Sequence, residues 1–256
     1  MPSRLMLIFC ACLLPVLAVA CGGDDDAAAS KSPGGERSNP SSSPILTQPA
    51  SRFAISHDDL VPTGTAPDSG EGYLTDLLAT FKLDLKNYAG TKTFDSRADG
   101  EALLAKWGYT GGYETGYEPE TRMLGVLNGA YFINLEVHLF KDEDGAKEAY
   151  KYFEERLAKS GSQKVTSAIV GNQSSAWKRV SGKVNESSVD AAYHRIVLRR
   201  GNLVAVVQTY GSDALMTVNG VHDLAALVDD KALGKAPAIE PTAVPSVANP
   251  TPTAAK

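Results

Sequence analysis

"AAYHRIVLRRGNLVAVVQTYG", residues 191–211, decides how this chain folds. Gly201-Asn202 sits between two β-rich runs, which is the local chemistry of a tight hairpin. Leu203 to Val207 is apolar at every position and has no polar side to turn toward water. Such a run belongs in the middle of a sheet. Working outward, "YFINLEVHLF" at 131–140 alternates. Ile133, Leu135, Val137 and Leu139 face one way, and Asn134, Glu136 and His138 face the other, as in a strand. "KVTSAIVG" at 164–171 and "SSAWKRVSG" at 174–182 lie between these runs.

Helical signals surround the strands. In "KDEDGAKEAYKYFEERLAKSG", 141–161, Asp142 is a good N-cap and acids fill the first turn. Ala146, Ala149, Tyr150, Phe153 and Leu157 form one face, and Gly161 ends the helix. "SRADGEALLAKW", 96–107, opens with Ser96 three residues before Asp99, a capping-box spacing. "YLTDLLATF", 73–81, has helical spacing. Ser212 and Asp213 cap a final helix through about Val228, weakened in its middle by Asn219-Gly220. The order lacks regular βαβ alternation. It predicts an α+β fold, an antiparallel sheet with helices packed on one face, over residues 53–235. This order of elements resembles the PsbP and Mog1 type of α+β domain. The likeness is of element order alone and carries no residue across.

The flanks differ in kind. "MPSRLMLIFCACLLPVLAVAC" has Arg4, then an apolar run from Leu5 to Ala20, then small residues before Cys21. That order is a secretory signal. The run is slightly short for a comfortable membrane span of about 20 residues. "LAVAC" resembles the lipobox of bacterial lipoproteins, although Leu17 stands four places before the Cys rather than the favoured three. The resemblance implies cleavage after residue 20 and acylation of Cys21, hence a lipid anchor in the membrane, with the domain facing outside the cytoplasmic membrane. The alternatives are an ordinary secretory signal or an uncleaved anchor helix. Residues 21–52, rich in Gly, Ser, Pro and Asp, read as a flexible tether of roughly 30 Å reach. Residues 236–256, rich in Pro, Thr and Ala, read as a disordered tail.

The net charge of -5 argues against a nucleic-acid partner. The three cysteines, Cys10, Cys12 and Cys21, all lie before residue 22, so the folded part has no thiolate nucleophile, disulfide or Cys-ligated zinc. No GxSxG, SxxK, Walker loop or strand-GxGxxG-helix context is present, so the sequence points to no cofactor and no catalytic set. His57, His138, His194 and His222 stand singly, without metal-ligand spacing. Glu136 and His138 share a strand side, which alternation alone explains as a solvated face. Lys178, Arg179, Arg195, Arg199 and Arg200 fall on neighbouring strands; Arg195 and Arg199 share a side. They read as scattered charges that keep sheet edges soluble, with a stripe for anionic polymers or headgroups as the alternative.

"WGYTGGYETGYEP", 107–119, carries the candidate ligand site. Trp107, Tyr109, Tyr113 and Tyr117 are all odd-numbered and share one side if the stretch is extended. They form either a core wall, with hydroxyls sent outward beneath the 142–160 helix, or the lip of a groove. Together these readings describe an extracytoplasmic lipoprotein binding a small apolar ligand or an envelope protein without catalysis. The alternatives are an envelope-acting hydrolase or an assembly factor for a membrane complex.

Overall fold

A computed structural model describes residues 43, 45–60, 76–118, 130–183 and 188–241. Gly201 takes a left-handed φ of 55°, and the two-residue turn pairs Arg200 with Leu203. It joins β6 (Asp190–Arg200) to β7 (Leu203–Ser212). The other strands are β1 (Asp76–Leu83), β2 (Tyr109–Glu118), β3 (Ala130–Phe140), β4 (Gln163–Val165) and β5 (Gln173–Lys183). They form one antiparallel sheet in the order β1-β2-β3-β7-β6-β5-β4, with β7 at its centre.

The short helices α1 (His57–Leu60) and α2 (Leu85–Ala89) precede α3 (Arg97–Lys106), α4 (Glu143–Lys159) and α5 (Val218–Ala232). Ser96 and Asp142 cap α3 and α4 as their spacing predicts, accepting from the amides of Asp99 (3.1 Å) and Gly145 (2.9 Å).

Alternation along the strands feeds two cores. On the first face Leu135, Ile196, Leu198, Leu203, Ala205 and Val207 pack against Val221, Ala225 and Val228 of α5 and against Phe53 and Ile55. On the second, Phe140, Val197 and Val204 pack against Ala146, Ala149 and Phe153 of α4 and against Tyr88, Phe94 and Leu104. Each large side chain buried here stabilises the fold by roughly 1.5–3 kcal/mol. The α+β class and antiparallel sheet stand, but the helices cover both faces instead of one. The reason lies in β6 and β7, whose neighbouring residues are apolar on both sides and need cover on both.

Three boundaries also change. Residues 76–81 of the expected 73–81 helix belong to β1, which pairs with β2 from Asp76 to Leu83; residues 73–75 lie outside the described residues. The edge offered by β2 overrides local helical spacing. The final helix starts at Val218 after Thr217, because Ser212 still pairs with Ala191 in the sheet. The domain begins before residue 53. Asn202 accepts from the Leu46 amide (2.7 Å) and donates to the carbonyls of Leu46 (3.0 Å) and Phe140 (2.7 Å), so the last part of the expected tether is fastened to the hairpin turn.

Candidate functional site

The aromatic stretch is split by a bulge. Tyr109 pairs with Phe140 and Gly111 with Leu139, leaving Thr110 as the additional residue. An extra residue inverts the side on which everything beyond it projects. Trp107 and Tyr109 therefore join the second core, while Tyr113 and Tyr117 join the first. Only the first pair shares a core with α4. Trp107, Tyr109 and Tyr117 are buried and Tyr113 is half-buried. The hydroxyls do not point outward as expected: Tyr109 donates to the Leu83 carbonyl (3.1 Å) and Tyr117 to that of Ile55 (2.9 Å). Burial raises both phenol pKa values, so these hydroxyls remain donors. The four aromatics form no common groove.

The expected solvated face of β3 is instead covered. His138 is fully buried, and its Nε2 lies 3.2 Å from Glu136 Oε2. The Tyr88 hydroxyl donates to the same oxygen at 3.1 Å. Gly112 makes room for this cluster: a Cβ there would stand 2.6 Å from the Tyr109 hydroxyl and 2.9 Å from His138 Nδ1. Burial pushes the Glu136 carboxyl up, but the hydrogen bond and charge of His138, the Tyr88 hydroxyl and Arg195 together outweigh it. The net effect holds Glu136 below the ordinary carboxylate value, so it is ionised at neutral pH.

The basic stripe divides into neutralised and unneutralised charges. Lys178 pairs with Asp213 (2.6 Å), buried Arg199 with Glu143 (2.9 Å), and Arg200 with Asp229 (2.6 Å). Burial of Arg199 and these partners replace the expected scattered surface charges. Among the described residues, Arg179 and Arg195 form no ion pair with a carboxylate, and Arg179 Nε is buried with no hydrogen-bond partner. Both guanidiniums lie over the Tyr193 ring, at 5.0 and 4.9 Å. Arg195 also donates to Gln208 Oε1. Burial, then repulsion from Arg179, lowers the Arg195 pKa to about 10, which leaves it charged at neutral pH.

These groups meet in a cavity of about 330 Å³ between the C-terminal half of α4 and the sheet. Its apolar wall is Phe153, Leu157, Val197 and Val206. Its polar lining holds four basic residues (Lys92, Arg156, Arg179 and Arg195) against one carboxylate, Glu136. Arg156 is already paired with Asp95. A larger hollow of about 520 Å³ lies between residues 45–50 and the β2–β3 edge. Its one carboxamide on the sheet side, Asn202, is committed to Leu46 and Phe140, so the chemistry favours the smaller cavity.

The remaining histidines do not join this site. His194 is buried on the opposite sheet face, and His57 and His222 neighbour Asp58 (3.5 Å) and Asp223 (3.4 Å) in their own helices. Among the described residues, no group of three or more His, Cys, Asp or Glu side chains is placed to hold a metal ion. No helix among them is long and apolar enough to cross a membrane. Cys21 lies outside the described residues.

Sequence reading misses Tyr88, Tyr193 and Gln208. Arg179 opposes Tyr193, and Arg195 opposes Gln208, only in the realised strand register. The available signal was the Tyr193-x-Arg195 alternation, which puts both on one side of β6.

No family model matches this chain, and no curated protein matches it. Among solved structures, the extracellular domain of PknH from Mycobacterium tuberculosis is similar at 15% identity, with a TM-score of 0.33, covering 61% of this chain and 78% of that one.

Proposed function

We propose that this chain is a non-catalytic ligand-binding module, held outside the cytoplasmic membrane by a lipid on Cys21. The observation that carries the binding reading is the α4 cavity. It combines an apolar wall with a few convergent polar groups, the composition of a small-molecule site, and its volume is at the lower end of that class. Two guanidiniums without carboxylate ion-pair partners among the described residues keep unused hydrogen-bonding capacity there. The "LAVAC" segment supports the anchor, and acylation at Cys21 gives stable attachment where two or more chains are added.

The His138–Glu136 contact favours a second reading, an envelope-acting hydrolase with Glu136 as general base. Two features support binding over it. His138 has no exposed surface to present to a substrate, and Glu136 is held below the ordinary carboxylate range, which weakens it as a base.

Native mass spectrometry of the full chain, purified from its host envelope, tests the binding reading. The expected result is a reproducible extra mass lost on denaturation. A clean apo mass would overturn it in favour of protein–protein assembly. For the anchor, Cys21→Ala should release the protein from the membrane fraction, and wild-type retention would sink that part.

A further inference from the structure

We infer that the α4 cavity takes an amphiphilic anion, a carboxylate or phosphate group on an apolar body, with the anion held between Arg179 and Arg195. This rests on the binding reading above.

Two guanidiniums side by side repel, and a carboxylate neighbour is the ordinary remedy. Lys178, Arg199 and Arg200, on the same two strands, each have one. Arg179 and Arg195 instead each lie about 5 Å from the centre of the Tyr193 ring, and Arg195 is further fixed by Gln208. Cation–π contact attracts both guanidiniums to the ring but neutralises neither. Among the described residues the one carboxylate lining the cavity, Glu136, takes its hydrogen bonds from Tyr88 and His138 and reaches Arg195 only by charge through space. A pair of positive charges without a carboxylate ion-pair partner among the described residues is therefore retained against local stability, which is the expected signature of a functional site. Guanidiniums match carboxylate and phosphate oxygens in pairs, so the complement is a planar or tetrahedral anion.

The second part of the ligand follows from the other wall. Phe153, Leu157, Val197 and Val206 offer apolar contact next to the guanidiniums and supply little hydrogen bonding. A small hydrophilic anion would leave that wall wet, whereas an alkyl or aromatic body would cover it.

The probe is n-octyl phosphate, titrated into the unacylated chain from residue 22 onward, so that no lipid anchor contributes to vesicle binding, in detergent-free buffer and read by isothermal calorimetry. n-Octanol and inorganic phosphate serve as the two half-ligands. Octyl phosphate should bind more tightly than either half-ligand. Arg179→Gln/Arg195→Gln should lose roughly tenfold to a hundredfold in affinity. Arg179→Lys/Arg195→Lys should recover part of it, which separates loss of charge from misfolding. A second arm distinguishes the source of the anion. Binding to phosphatidylglycerol vesicles but not phosphatidylcholine vesicles, lost in the Gln variant, assigns a lipid headgroup. Binding of free octyl phosphate without vesicle binding assigns a soluble amphiphile. Equal binding of octanol, or wild-type affinity in the Gln variant, would overturn the anion while leaving a neutral ligand in the cavity. No binding by any probe would overturn it as well, and a native adduct would then show that the broader binding reading survives.

Discussion

Lys231→Met removes a buried cation while keeping an unbranched apolar stem in place. The Lys231 ammonium has no solvent exposure; it donates to the Ala54 carbonyl (2.7 Å) and to Asp59 Oδ2 (2.5 Å). Asp59, 12% exposed, also accepts from the amide and hydroxyl of Ser56 (2.6 and 2.8 Å). Removing Lys231 strands the Ala54 carbonyl and leaves Asp59 charged against an apolar thioether. Breaking one partner of a buried pair costs about 3–5 kcal/mol. Asp59 keeps its Ser56 bonds and a little water, so the lower end, about 3 kcal/mol, is expected. That is a large share of the roughly 5–15 kcal/mol that holds a domain folded. The assay is guanidinium denaturation of the full chain, followed by Trp107 and Trp177 fluorescence, for Lys231→Met, Asp59→Asn and the double variant. The double should fall short of the summed single losses by about 2 kcal/mol, and amides at 53–55 should exchange faster in Lys231→Met. A Lys231→Met loss below about 0.5 kcal/mol, or an additive double variant, would refute the claim that this pair fastens the N-terminal segment to α5.

Three further outcomes are expected. Gly145→Ala places a Cβ 1.9 Å from the Trp107 carbonyl oxygen, so the start of α4 must move off the chain before β2. Its loss should reach or exceed the top of the ~1–3 kcal/mol overpacking range, and an unchanged melting temperature would contradict this. Tyr117→Phe should cost about 1–2 kcal/mol, because the buried Ile55 carbonyl loses its donor; a neutral result by denaturation would refute that bond. His194 sits below its ordinary pKa of 6.5, pushed down by burial first and then by Lys178, against the opposing pull of Asp213. Above pH 6.5 the group contributes little; below it the unfolded chain takes the proton first, so stability falls until the folded-state pKa is passed. His194→Gln should flatten that fall between pH 7.5 and 5.5, and identical pH slopes in the two proteins would count against it.

Where local chemistry is self-sufficient, the sequence is legible. The Gly201-Asn202 turn, the alternation of β3 and the caps of α3 and α4 each depend on a few neighbouring residues, and each forms where its pattern places it. Legibility ends where a distant partner decides. Asp76–Leu83 has helical spacing, yet pairing with β2 makes it a strand. The side assignment of the aromatic stretch fails through one residue, Thr110, because a bulge leaves little mark in composition. Glu136 and His138 look like a solvated face until Tyr88 and Phe153 arrive from elsewhere in the chain to cover them. The cavity was the least legible feature, since its opposed pairs, Arg179 with Tyr193 and Arg195 with Gln208, exist only in one register.

The place of the cavity follows from a mismatch of lengths. β3 and β6 have 11 residues each, about 36 Å at the usual rise per residue. α4 has 17 residues, about 25 Å of helix. One such helix cannot cover strands of that length, whatever its angle to them. Its N-terminal end is fixed by the Glu143–Arg199 pair, near the Gly201 turn. The shortfall therefore lies toward the other end of the strands. Phe132, Tyr193 and Tyr210 stand there half-buried, their ring centroids 4.6–6.3 Å apart. Among the described residues, Arg179 and Arg195 occupy the border between sheet covered by α4 and sheet beyond its reach. A guanidinium under the helix needs a carboxylate, as Arg199 has in Glu143. At the border it can be served by an incoming ligand, consistent with these two arginines lacking, among the described residues, the carboxylate partners their strand neighbours possess.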